Sequence, residues 1–197
     1  DESTQLNPIN PYGFTKLVVE RMLIDFQNAY GIRWAALRYF NAAGADPDGE
    51  LGERHEPETH AIPLAIMASL GSGPAFSVFG TDYETPDGTA IRDYVHVTDL
   101  ADAHARAVDY LSEGGESVAL NLGTGEGTSV LEIVNSVSEV TGREVPMINA
   151  PRRPGDPPIL YAVADRAAKT LGWTPRFLSI KDTVGTAADW FYRAHNA

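Results

Sequence analysis

The most constraining feature of this chain is a change of hydrophobic period between residues 11 and 40. From Pro11 to Ala29, apolar residues fall at Leu17, Val18, Met22, Leu23 and Phe26, with Gly31 just beyond. That is the spacing and stop signal of an amphipathic helix. Residues 34–40 then form a short, mostly apolar run ending at Asn41, which suits a strand buried on both faces. A helix leading into a buried strand is an α/β signature, and it commits both to a parallel sheet. The other strands of that sheet are not evident in the sequence. The helix and strand are therefore expected to leave apolar faces that a partner or self-association must cover, or that stay exposed and sticky.

Downstream, residues 44–57 are acidic and rich in Gly and Pro, a loop long enough to do more than connect. Helices are predicted at 60–71, 98–111, 129–140 and 183–195, and strands at 76–79, 94–97, 117–122 and 145–148. There is no internal repeat or low-complexity tract.

A formal charge of −12 over 197 residues argues against nucleic acid or an anionic membrane surface as partner, since both repel a net anion. With no cysteine, disulfides and thiolate metal sites are excluded. The apolar stretches are too short to span a membrane, and the expected location is cytoplasmic. The chain opens Asp1-Glu2-Ser3-Thr4 without Met and runs quickly into helix, the expected look of an excised fragment.

Tyr12 and Lys16 lie one helical turn apart on one face. A nearby ammonium favours phenolate over phenol, so the pair suits general-base work. Bare Tyr-x-x-x-Lys spacing recurs by chance. The wider run Asn10-Pro11-Tyr12-Gly13-Phe14-Thr15-Lys16, however, matches the Asn-Pro-Tyr-Gly-x-Ser/Thr-Lys signature of the extended short-chain dehydrogenase/reductase family. Residues 37–44, the Phe79–Tyr83 segment with its acidic insertion, and the 88–101 stretch containing Arg92-Asp93-Tyr94 resemble the UDP-galactose 4-epimerase branch of that family. The resemblance runs from about Asn7 to the C-terminal helix.

It implies a trailing part of a Rossmann-like parallel-sheet domain (residues 1–41) plus a smaller α/β nucleotide-sugar substrate domain (42–197), with the strand near 117–122 returning to the first sheet. It also implies an NAD-dependent UDP-hexose 4-epimerase. Tyr12 would take the proton from the sugar 4-hydroxyl as hydride leaves C4 for NAD, with Lys16 tuning it and reaching the nicotinamide ribose. Tyr39 and Phe40 would lie beside the cofactor, and Asn41 would meet the sugar diphosphate. Arg92, Tyr94, Arg153 and Asp156 would hold the pyrophosphate and uridine ribose, and Ser77, Val78 and Phe79 would bracket the uracil. His60, where one well-known form of the family has asparagine, would approach the nucleotide. Leu160 stands where a bulky tyrosine would exclude N-acetyl groups, which implies tolerance of UDP-N-acetylhexosamines beside UDP-glucose and UDP-galactose. The intact enzyme is expected to be a homodimer.

Independently of the resemblance, Arg92 and the Arg152-Arg153 pair put guanidinium forks beside turn residues, a geometry suited to a diphosphate. Isolated arginines of this kind are more often surface ion pairs. The Gly123-Thr124-Gly125-Glu126-Gly127 turn has Gly-x-Gly-x-Gly spacing rather than that of a dinucleotide loop. The five histidines (55, 60, 96, 104, 195) show no metal-ligand spacing, and the acidic 46–53 stretch departs from a calcium loop, so no metal is expected. No glycine-rich strand-turn-helix for NAD appears, and the serine or threonine partner of the catalytic tyrosine is missing. The chain alone is accordingly expected neither to bind NAD tightly nor to turn over. The alternatives are another nucleotide-sugar epimerase or dehydratase of the superfamily, or a non-catalytic nucleotide-sugar binding module, against which retention of Tyr12 and Lys16 speaks.

Overall fold

A computed structural model describes residues 1–196, and its first element is the predicted helix, α1 (Pro11–Tyr30). Asn10 starts it by accepting the Gly13 N–H at 2.8 Å, and Pro11 fills a first-turn position that needs no donor. Gly31 ends it at φ 69°, a conformation costly for a residue with a Cβ. There follow β1 (Ala35–Tyr39) and β2 (Asn41–Ala43), then α2 (Ala61–Leu70), β3 (Phe76–Phe79), β4 (Ile91–Arg92) and β5 (Tyr94–His96). Next come α3 (Val97–Ser112), β6 (Val118–Leu122), β7 (Thr128–Ser129) and α4 (Val130–Thr141). The remainder is β8 (Met147–Ala150), β9 (Ile159–Leu160), α5 (Asp165–Leu171) and α6 (Ile180–Asn196).

The strands pair mainly in parallel, as α/β patterning requires. β6 returns to β1 with Ala35 opposite Val118 and Tyr39 opposite Leu122. β2 lies along β5, and β3 along β8. The exception is the central β4, which takes β7 antiparallel on one side and β9 parallel on the other. The predicted strand at 145–148 is shifted: Val145 is buried in the core, and pairing begins only at Met147.

Two apolar clusters hold these elements. In one, Ile62 and Ile66 of α2 meet Val78 of β3, Ile133 and Val137 of α4, and Val184 of α6. In the other, Leu120 and Leu122 of β6 pack with Val95, Leu100 of α3, and Trp173 after α5. α1 contributes to neither and has no buried residue. It is tied to β1 by a two-pronged ion pair in which Arg38 donates to Glu20 at 2.7 and 2.5 Å. Among the described residues, no helix is long and apolar enough to cross a membrane.

Candidate active site

The head of α1 presents Tyr12 and Lys16 to solvent together. Tyr12 is 71% exposed, and the Lys16 ammonium lies 5.1 Å from its ring centroid. The helical register that the sequence predicts thus brings acid–base groups side by side. Just upstream, Ile9 neighbours the loop of the second candidate group: a Cβ added at Gly155 would sit 3.9 Å from Ile9 Cδ1. The segment leading into the Tyr/Lys pair thus runs beside the Arg153–Asp156 loop.

That second group is largely assembled. The Arg92 guanidinium pairs with Asp156 and donates to the Ile91 carbonyl at 2.7 Å. Leu160 is the neighbour of Arg92 across the β4–β9 ladder and is 40% exposed. Tyr94 is pressed against the α2/α4/α6 core. Burial pushes its phenol up to about 12, with the Arg92 charge opposing and Asp156 adding to the shift. Tyr94 therefore stays a neutral O–H, the form that donates to a phosphate oxygen. Arg153 has no carboxylate partner among the described residues, and its guanidinium lies 3.9 Å from the centroid of Phe79.

Other expected positions are partly engaged with the fold itself. Val78 is 1% exposed and committed to the core, so only its backbone could face a base, whereas Ser77 and Phe79 are partly open. One face of the Phe79 ring carries the Arg153 guanidinium. Asn41 turns its amide toward its own fold, donating to the Asp93 carbonyl at 3.2 Å. Tyr39 is exposed at the carboxyl end of β1 with its ring edge-on to His104, and Phe40 follows half-buried.

His60 precedes α2 and meets two carboxylates, Glu53 at 2.5 Å and Glu58 at 3.1 Å. With His55 these residues bring four potential ligand atoms within 4.8 Å of one another. The order Glu-x-His-x-x-Glu-x-His is the signal that motif spacing missed. The His60–Glu53 contact is a charge-assisted hydrogen bond. The group is thus a histidine–carboxylate network that orients His60.

Sequence reasoning also missed how the neighbouring charges divide. Arg152 is taken up by Asp82 at 2.8 Å and by the Tyr83 ring at 4.3 Å, which leaves Arg153 as the available fork of the pair. Asp93, between Arg92 and Tyr94, is completely buried and accepts hydrogen bonds from Thr124 and Ala162. A cleft of about 380 Å³ between the 123–127 turn, α4 and the start of α6 carries Glu126, Glu132 and Glu139. Tyr94 and Thr124 line the same cleft beside the three carboxylates.

The residues present fit one flank of a dinucleotide site: an exposed phenol–ammonium pair, and two aromatic residues at the carboxyl end of a parallel strand, where such sheets take ligands. The NAD dependent epimerase/dehydratase family model matches residues 1–123. A UDP-glucose 4-epimerase of Rhizobium meliloti (strain 1021) is 59% identical over 193 residues, 98% of this chain and 58% of the relative. One from Rhizobium leguminosarum bv. trifolii is 53% identical over 99% of this chain and 59% of the relative. The crystal structure of UDP-glucose 4-epimerase from Brucella ovis in complex with NAD superimposes with a TM-score of 0.91 at 58% identity, covering 94% of this chain and 57% of that one. The chain thus spans somewhat under three-fifths of the length of these relatives.

Proposed function

This chain belongs to the NAD dependent epimerase/dehydratase family, and on that premise we propose that it carries the proton-transfer pair and nucleotide-sugar site of a UDP-glucose 4-epimerase. The observation that carries the proposal is that the segment leading into the Tyr/Lys pair runs beside the loop carrying Arg153 and Asp156. Tyr12 and Lys16 share the open head of α1, and the segment leading into it abuts the Arg153–Asp156 loop. In this reading residues 1–41 bring the base and residues 42–197 the UDP-sugar site. Arg92, Arg153 and the neutral Tyr94 hydroxyl hold the diphosphate; Asp156 takes the ribose once a phosphate relieves it of Arg92. Phe79 and Ser77 take the base, and the network around His60 sets that side chain toward the nucleotide.

Tyr12 then accepts the proton of the sugar 4-hydroxyl at its phenolic oxygen, and the Lys16 ammonium stabilises the phenolate that does so. When bound beside Tyr39 and Phe40, NAD supplies the place for the hydride of C4. With that hydride given back to the opposite face of C4, return of the proton from Tyr12 to the 4-oxygen would complete interconversion of UDP-glucose and UDP-galactose. Leu160, less bulky than tyrosine and partly open, leaves room for an N-acetyl group on the sugar. The exposed apolar residues of α1 favour a homodimer in the intact enzyme.

The test is Tyr12→Phe in the intact protein, read by conversion of UDP-glucose to UDP-galactose and by UDP affinity. Turnover should fall on the order of 10²- to 10⁴-fold with affinity unchanged. Full turnover in the variant would remove the proton-transfer role.

A further inference from the structure

Asp93 has no solvent exposure, yet none of the salt bridges among the described residues supplies it a counter-charge. Neutral donors surround it instead. Thr124 N donates to Oδ1 at 3.0 Å and to Oδ2 at 3.2 Å, Thr124 Oγ1 donates at 2.8 Å, and Ala162 N at 3.1 Å. A buried carboxylate without such donors would be severely destabilising, so this ring of fixed N–H and O–H groups is what allows it to stay.

The turn is shaped to the carboxylate. A Cβ at Gly123 would come within 2.5 Å of Asp93 Oδ2 and 2.9 Å of the Ala162 carbonyl, so only glycine admits this approach. The Gly-x-Gly-x-Gly run that superficially resembles a phosphate-cradling loop therefore holds the protein's own anion. At the backbone level, the Asp93 carbonyl accepts both the Asn41 N–H and its side-chain amide, each at 3.2 Å. One residue thus fastens the start of β2, the turn after β6 and the segment after β9 to the β4–β5 junction. On either side of it in the chain, Arg92 reaches Asp156 and Tyr94 packs on the α2/α4/α6 cluster.

We propose that Asp93 is a positioning residue of the nucleotide-sugar site, its carboxylate seated in the 123–127 turn so that Arg92 and Tyr94 are aimed at the diphosphate. This rests on the reading of Arg92 and Tyr94 as diphosphate ligands. A residue serving only stability would shift the melting temperature and leave affinity alone in the folded protein.

The experiment is calorimetric titration of the intact protein with UDP, well below each variant's melting temperature. Asp93→Asn turns part of the acceptor into a donor facing donors, and Thr124→Val removes one donor while leaving Asp93 in place. Misplacement of the ligands by about 1 Å should weaken UDP binding on the order of 10- to 100-fold in D93N. T124V should lose less. Repeated in an Arg92→Ala/Tyr94→Phe background, either substitution should add nothing further, because the groups it aims are gone. If D93N does not fold, T124V and its cycle decide alone. Unchanged UDP affinity in foldable variants, or an equal loss with and without Arg92 and Tyr94, overturns the positioning role and leaves the diphosphate reading intact. Failure of the unsubstituted protein to bind UDP overturns both.

Discussion

His96 is the residue whose environment most sharply sets a pH response. It is wholly buried, its ring stacks on Phe177 at 3.7 Å, and its two nitrogens meet Thr98 N and Thr186 Oγ1 at 3.1 and 3.0 Å. Burial holds its pKa below the ordinary value; Asp99 and Asp46 oppose that and Arg176 reinforces it. Because Nδ1 accepts the Thr98 N–H, the folded state needs it unprotonated. The unfolded histidine takes up its proton near about pH 6.5 and the folded one only at lower pH. Between these values the unfolded state binds more protons, so stability is full above about 6.5 and falls as the pH drops toward the folded pKa. Substituting His96→Asn, which keeps an acceptor for Thr98, should flatten the melting temperature across that window; an unchanged slope would assign the acid sensitivity elsewhere. Arg153 invites a second test. Arg153→Lys keeps the charge and loses the planar fork lying on Phe79, so UDP affinity in the intact protein should fall by roughly tenfold. Retained affinity would mean the charge alone suffices.

At the scale of elements, the acidic 44–57 loop justifies the expectation that it does more than connect. It docks on α6: Trp190 Nε1 donates to the Glu53 carbonyl at 2.9 Å, and a Cβ at Gly52 would lie 2.2 Å from the Trp190 ring. Gly52→Ala must displace the loop or the indole, at a cost of about 1–3 kcal/mol. The change should show in denaturant titration and in the fluorescence of Trp190; neither signal moving would mean the loop yields freely. The same loop marks the limit of what the sequence discloses. α1, α3 and α4 were legible because their apolar period and caps are local, and β1, β3 and β6 because their apolar runs are short and bounded. The pairings of β2, β4, β7 and β9 were not, since each has only two or three residues and exists through partners far along the chain. Among the candidate site residues, Tyr12, Lys16 and the arginines come forward through the family signatures they match, since their spacing alone is common. Asp93 is not: its significance lies in Thr124 and Ala162, which only the fold brings to it.

For the whole molecule, the uneven distribution of core is the governing fact. The two apolar clusters are built from α2 to α6 and the strands between them, while α1 lies outside both. Val19, Met22 and Phe26 follow one another at helical spacing and are 53%, 49% and 44% exposed. A helix without buried residues draws little from tertiary packing, and even a long one is marginal in water by itself. Its Glu20–Arg38 link is partly shielded, but a single ion pair cannot replace a packed face. In the 197-residue chain, α1 amides should therefore exchange with solvent near the rate of local fraying, well ahead of those in α4, whose Ile133 and Val137 sit in the core. Glu20→Ala should speed exchange in α1 further and leave α4 unaffected. If α1 proves as protected as α4, something covers Val19, Met22 and Phe26 in solution. Concentration dependence then separates the causes: protection that fades on dilution means a second copy supplies the cover, and protection that persists means the cover comes from the chain itself.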